Sequence, residues 1–166
     1  MLGNYIATVR RNHALEHATV TLLLSKLGPD IRLVGRATGD GFLIFGDIPT
    51  QTLRECVTEA LMRLKRGEGF WAVTPLCGTN LVSAGVLASL STMAVIRRAE
   101  KSGKKDRLPT VLLAGVIGVT VAQPLGRLLQ KHITTSPDLE DTEIIDIETR
   151  SASVHKIKTL RRPAAT

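Results

Sequence analysis

Polar and apolar positions follow two different periods over the first 67 residues, and then both periods stop. In "RRNHALEHATVTLLLSKLG" (10–28), Leu15, Leu22, Leu23, Leu24 and Leu27 form a broad apolar face at helical spacing, and Gly28-Pro29 ends it. One helix is expected within 1–27, starting near Thr8. "IRLVGRATGDGFLIFG" (31–46) holds two β-rich runs around Gly39, Asp40 and Gly41, which read as a hairpin turn. In "DIPTQTLRECVTEALMRLKRG" (47–67), Thr50 is placed to cap a helix, and Leu53, Val57, Leu61 and Leu64 recur at helical spacing. Residues 1–67 thus predict an α-β-β-α unit in which two helices cover one face of a small sheet.

Charge then disappears. Asp, Glu, Lys and Arg are absent from Gly69 to Ile96 and again from Leu108 to Gly126. Crossing a bilayer takes about 20 residues of helix, and each run reaches that length. Phe70 and Trp71 stand where an interfacial aromatic anchor would sit. Small residues recur at spacing four: Ala84 and Ala88, Gly85 and Ser89, then Ala114, Gly118 and Ala122. Such spacing lets helix backbones approach closely in lipid. Residues 77–96 and 108–126 are therefore expected to form an antiparallel transmembrane hairpin, packed through Ala84, Ala88, Ala114, Gly118 and Ala122. The same small-residue faces offer a route to a homo-oligomer. Pro124 is expected to kink or end the second span. Beyond it, Ile144, Ile145 and Ile147, then Val154 and Ile157, make two short β-like runs around "SAS". These form a hairpin or add strands to the N-terminal sheet. The tail "RRPAAT" (161–166) reads as disordered.

The resulting fold class is mixed α/β (α+β). It comprises an α-β-β-α unit (1–67), a two-helix transmembrane hairpin (68–127) with a basic loop (97–107), a C-terminal β-rich segment (128–160) and a tail. Composition agrees: 43% of residues are hydrophobic but only 3% aromatic, so the apolar content is small and aliphatic. The formal net charge of +7 would suit nucleic acid or an anionic membrane. The densest basic run, "RRAEKSGKKDR" (97–107), lies between the two charge-free runs and apart from the aromatics. That points to the lipid bilayer as partner and away from nucleic acid. With six Lys/Arg against two Asp/Glu, this loop belongs in the cytoplasm by the positive-inside rule, whereas nine Lys/Arg in 1–67 argue the other way. The N-terminus lacks an h-region, so no cleavable signal peptide is expected.

Candidate chemistry is sparse. The glycines of "GRATGDG" lack the Gly-Lys-Ser/Thr of a phosphate loop. Cys56 and Cys77 form no CxxC, and His132 and His155 read as isolated surface residues. The exception is "HALEH" (13–17). On a helix, positions i and i+4 share a face, so His13 and His17 can offer two imidazole nitrogens to one Zn²⁺. Glu16 then stands beside the metal as a general base toward bound water, the H-x-x-E-H arrangement. A polar stripe in which Glu16 balances Arg10 or Arg11 is the other reading.

Residues 13–64 resemble the start of pitrilysin-type zinc peptidases: H-x-x-E-H on a helix, a hairpin, then a "P-x-x-x-L" helix matched by Pro49 and Leu53. The resemblance implies zinc held by His13 and His17 with Glu16 as base. It also implies a third ligand, a Glu on a later helix, for which Glu55, Glu59 and Glu68 are substitutes. Over most of the chain, "RRNHALEHATVTLL" with a small α/β unit and two spans resembles an uncharacterised bacterial family of small membrane proteins, a domain of unknown function. That resemblance implies a multi-pass bacterial membrane protein and no set activity. Three readings stay open: an interaction or scaffold membrane protein with a metal site, a membrane-anchored zinc-dependent hydrolase, and a soluble basic protein whose hairpin is core.

Overall fold

The computed structural model describes residues 2–102 and 108–162. Helix α1 runs over Leu2–Leu27, strands β1 and β2 over Val34–Thr38 and Gly41–Phe45, and α2 over Thr50–Lys65. A 3₁₀ turn follows at Gly69–Ala72, then α3 (Gly78–Ser102) and α4 (Leu108–Leu129). A π-helical turn (Gln130–Thr134) leads to β3 (Thr142–Ser151) and β4 (Val154–Arg161). The chain divides into two compact units, Met1–Thr74 with Lys131–Thr166, and Pro75–Gln130.

The first unit is the expected α+β unit with two strands added. All pairings are antiparallel and the strand order is β1-β2-β4-β3, so both alternatives for the C-terminal runs are realised. β3 and β4 form a hairpin, and β4 also pairs with β2. Along β2 the pleat puts Phe42 and Ile44 on the face covered by helices. They join Leu15, Leu23, Leu53, Val57 and Ile157 in a core of almost fully buried side chains. α1 stops at Gly28, whose φ of 90° is open to glycine and whose N–H closes on Leu24 O at 3.0 Å.

Several local expectations are corrected. α1 begins at Leu2, not near Thr8: nothing before Thr8 breaks a helix, and its hydroxyl bonds back to Asn4 O at 2.9 Å. Thr50 does not cap α2. Pro49 occupies the cap position without a side-chain bond, and Thr50 Oγ1 instead lies 3.2 Å from Thr149 Oγ1. Trp71, placed by the sequence at an interface, is a packed side chain. It is half-buried in this unit, its Nε1–H donates to Glu68 at 3.0 Å and Arg63 stacks on its ring at 4.6 Å. Only Phe70 is exposed. His155 is buried rather than at the surface, with Nδ1 3.3 Å from Thr149 Oγ1. Arg161 ends β4 and Arg162 N–H donates to Asp141 O at 2.8 Å, so these two residues are ordered; the rest of the expected tail, 163–166, lies outside the described residues.

The second unit is a pair of helices. A Cβ placed on Gly118 would lie 2.7 Å from Leu87 O and 2.8 Å from Ala88 Cα, so the backbones touch there. Gly115 meets Thr92 and Gly126 meets Asn80, an ordering that makes the pair antiparallel. Ala84, Gly118 and Ala122 are buried, as the small-residue spacing requires. Gly85 and Ser89 face outward instead, and a Cβ on Gly85 would meet nothing within 4 Å. Pro124 does not end α4, which continues to Leu129. Near the open ends of the pair, Gln130 Nε2 donates to Asn80 Oδ1 at 2.9 Å, and Asn80 Nδ2 to Pro75 O at 3.1 Å. Both helices are long and apolar enough to cross a membrane, and their large apolar side chains point outward. Of the basic loop, 97–102 finish α3 and 103–107 lie outside the described residues.

Candidate metal centre

α1 packs against the sheet through a buried polar anchor one residue before the HALEH motif. Asn12 Nδ2 donates to Thr38 O at 2.8 Å, and its Oδ1 accepts from Thr159 Oγ1 at 2.7 Å. One amide therefore ties the helix to β1 and β4 and fixes its rotation about its own axis. Lys156 continues the network: its buried ammonium donates to Thr38 Oγ1 at 2.8 Å and to Asp40 Oδ1 at 2.6 Å. The bond from Lys156, joined by one from Thr38, lowers the Asp40 pKa from 3.8 to about 2.

With α1 held in this way, His13, Glu16 and His17 come together inside the first unit. The imidazole centroids are 4.2 Å apart with planes at 62°, and one ring nitrogen of each lies within 4.8 Å of the other. His17 Nδ1 is 2.8 Å from Ala72 O, and His13 Nδ1 is 3.0 Å from Thr134 O. A carbonyl oxygen only accepts, so each Nδ1 carries the proton. In the neutral rings each Nε2 then keeps its lone pair. Fixing the tautomer by a bond to the far nitrogen is how metal-ligating histidines are oriented. The donor set fits a borderline-soft divalent ion such as Zn²⁺.

Glu16 is almost buried, and its Oε2 stands 3.7 Å from His13 Nε2. Its carboxylate lies directly against β1. A Cβ on Gly35 would overlap Oε1 and come within 2.7 Å of Cγ, so a side chain at this strand position would have to displace the Glu16 carboxylate. Gly35 sits inside β1, and an isolated glycine inside "VGRAT" is the signal for such a close approach.

The two arginines before the motif do not balance Glu16. Arg10 Nη2 donates to His132 O at 2.9 Å and Thr135 O at 3.0 Å, and Arg11 Nε to Asp138 O at 3.1 Å. Arg10 and His13 thus satisfy carbonyls left open at the end of the π-helical turn, and Arg11 holds the segment that follows it. Gly69, Phe70, Ala72 and Val73, with Lys131, Thr135 and Pro137, line a cleft of about 510 Å³. The substitute third ligands are engaged elsewhere. Glu55 and Glu59 pair with Lys26 at 3.8 and 3.5 Å, Glu59 also with Arg63 at 2.6 Å, and Glu68 holds Trp71. His132 is exposed and contributes its carbonyl, Cys56 is a core residue whose thiol pKa is raised by burial, and Cys77 Sγ accepts from Thr79 N–H at 3.4 Å.

Fold and site define a mixed α+β chain with a paired-imidazole helix on its sheet and two long apolar helices inserted between its strands. The chain belongs to the family described as Domain of unknown function (DUF6391), whose model matches residues 8–147 and so takes in the motif, the sheet's first hairpin and both apolar helices. It is 34% identical over 139 residues to an uncharacterized protein of Picosynechococcus sp. (strain ATCC 27264 / PCC 7002 / PR-6). The match covers 77% of this chain and 66% of that relative, just under two thirds of the relative's length. No solved structure matches. The resemblance of 13–64 to pitrilysin-type peptidases is not supported by these matches.

Proposed function

We propose that the chain is an integral membrane protein whose sheet unit carries a zinc centre on α1, held by Nε2 of His13 and of His17. The observation that carries this reading is the pairing of the two imidazoles, whose centroids are 4.2 Å apart and whose Nδ1–H bonds to Ala72 O and Thr134 O fix the same tautomer in both rings. Membrane integration rests on the outward apolar faces of α3 and α4, which lack a counterpart in a water-facing protein of this size. The metal unit serves an interaction or scaffold role.

Glu16 gives a second reading its footing. A carboxylate kept nearly buried beside the imidazole pair is placed to take a proton from bound water, which would make the centre a hydrolase.

Elemental analysis of detergent-purified protein tests the centre. Wild type should hold about one zinc per chain and His17→Ala far less, because a single remaining imidazole loses the chelate. Glu16→Gln should keep the metal, and in the hydrolase reading it abolishes turnover. Wild type that neither contains nor takes up zinc would refute the centre. Release from membranes by alkaline carbonate would refute integration.

A further inference from the structure

The 510 Å³ cleft of the sheet unit combines an apolar lining with one cation. One wall is the 3₁₀ turn, through Phe70, Ala72 and Val73; the other is the segment after α4, through Lys131 and Pro137. The walls meet where a Cβ on Gly69 would stand 3.3 Å from Pro137 Cβ and Cγ. Phe70 is left 69% exposed. Lys131 is exposed too, and it carries the one charge among the described lining residues. Among the described residues its ammonium has no ion pair.

Both walls continue directly into the apolar helices. Val73 stands five residues before Gly78, where α3 begins, and Lys131 two residues after Leu129, where α4 ends. Extended chain spans at most about 3.6 Å per residue, so Lys131 is tethered within about 7 Å of the end of α4. A helix that leaves the hydrocarbon enters the layer of lipid headgroups, where aromatic and lysine side chains settle. Once α3 and α4 span a bilayer, chain length alone keeps Lys131 within reach of headgroups. A ligand complementary to the cleft has an apolar body and an anionic head, which is the chemistry of an anionic phospholipid.

We propose that the cleft binds one anionic phospholipid, with its phosphate on the Lys131 ammonium and the start of its acyl chains along Phe70, Val73 and Pro137. The ammonium offers three donors to the phosphate oxygens. A zwitterionic headgroup brings its own cation, which competes with Lys131 for that phosphate, so net negative charge decides between lipids. The inference rests on the proposed membrane integration and is independent of zinc.

Trp71, the chain's single tryptophan, reports on the cleft because its ring lies 5.4 Å from that of Phe70. The full chain in non-ionic detergent is titrated with phosphatidylglycerol or phosphatidylcholine brominated on the acyl chains, since bromine quenches indole fluorescence on close approach. Wild type should be quenched at an about fivefold lower concentration of phosphatidylglycerol, the scale of one lysine at an anionic lipid surface. That preference should vanish in Lys131→Gln and persist in Lys131→Arg. It should also persist in Arg127→Gln, whose charge lies outside the cleft lining. Both positions are exposed, so folding is not at stake. Equal quenching by the two lipids, or a preference that survives Lys131→Gln, would overturn the proposal. A preference lost equally in Arg127→Gln would also overturn it, assigning the effect to basic surface in general. So would displacement of the brominated lipid by soluble glycerol phosphate, which assigns Lys131 to a free phosphate ester. Alkaline carbonate keeps the two readings apart. Protein retained in membranes without a lipid preference removes the cleft site and keeps integration; protein released by carbonate with a Lys131-dependent preference removes integration and keeps the lipid site.

Discussion

The sheet unit and the helix pair sort their side chains in opposite ways. In the sheet unit the large apolar residues Leu15, Leu23, Phe42, Leu53 and Ile157 are inside, and ion pairs such as Lys158 with Glu148 lie outside. In the helix pair Ala84, Gly118, Ala122 and Gly126 are inside with the amides of Asn80 and Gln130, while Leu81, Val86, Leu90, Leu112, Val116 and Ile117 lie outside. Only 11% of the most apolar stretch of either helix is buried. One chain thus holds two folding economies. The first unit is stabilised by apolar area taken from water. The second is held by close backbone approach and buried amides, which matter most where lipid already solvates the large side chains.

That contrast can be broken by substitution. The largest effect is expected inside the sheet unit: Phe42→Ala should cost about 3–5 kcal/mol, read as a lower urea midpoint. Next comes Gly118→Leu, whose side chain has only the α3 backbone to enter. About 1–3 kcal/mol of overpacking should appear as a lower melting temperature of the detergent-solubilised helices. Gly85→Leu, on the open face, should leave that temperature unchanged or raise it, since glycine is a poor helix former. If both glycines behave alike, the helix pair is not packed as described.

Acid provides a smaller, sharper test. The Asp40 pKa is about 2 when folded against 3.8 for the free group, so this carboxylate stabilises the sheet unit above pH 3.8. That contribution is lost as pH falls through 2. Asp40 is 70% exposed, so solvent screening limits it to about 1 kcal/mol or less. Asp40→Asn should flatten the acid limb of a stability-versus-pH curve and leave the rest unchanged. The smallest effect is expected for Leu112→Ala, an apolar truncation on the outside of α4, at about 0.5 kcal/mol or less. A loss comparable to that of Phe42→Ala would mean that Leu112 belongs to a core and that the comparison fails.

What could be read from the chain depended on the reach of each cause. The motif's shared face depends on a four-residue spacing, so His13 and His17 were legible at once. Their orienting carbonyls are not local: Ala72 is 55 residues from His17 and Thr134 is 121 from His13. No spacing rule reaches that far. The helix-pair interface was legible in Gly118 and Ala122 because small residues at spacing four have one main use, but the same spacing misled at Gly85 and Ser89, since periodicity alone does not say which face has a partner. Trp71 and the missing charge from Gly69 onward looked like the start of a span. The sheet unit uses that stretch for itself, burying Ala72 in its core. The C-terminal strands were visible, while their place in the sheet order was not, because register with β2 is settled by packing over more than 100 residues.

The strand order has a consequence for the timing of synthesis. β4 lies between β2 and β3, so the middle of the sheet is made after everything it joins. Until residues 154–161 emerge, β1 and β2 are a two-stranded hairpin backed only by α1 and α2, and Phe42 has no Ile157 beside it. Both apolar helices leave the ribosome before that point. A pause in translation between residues 130 and 154 would therefore hold the chain with its apolar helices made and its sheet half built. In that interval the unpaired edge of β2 would be the site most open to a chaperone or to misassembly.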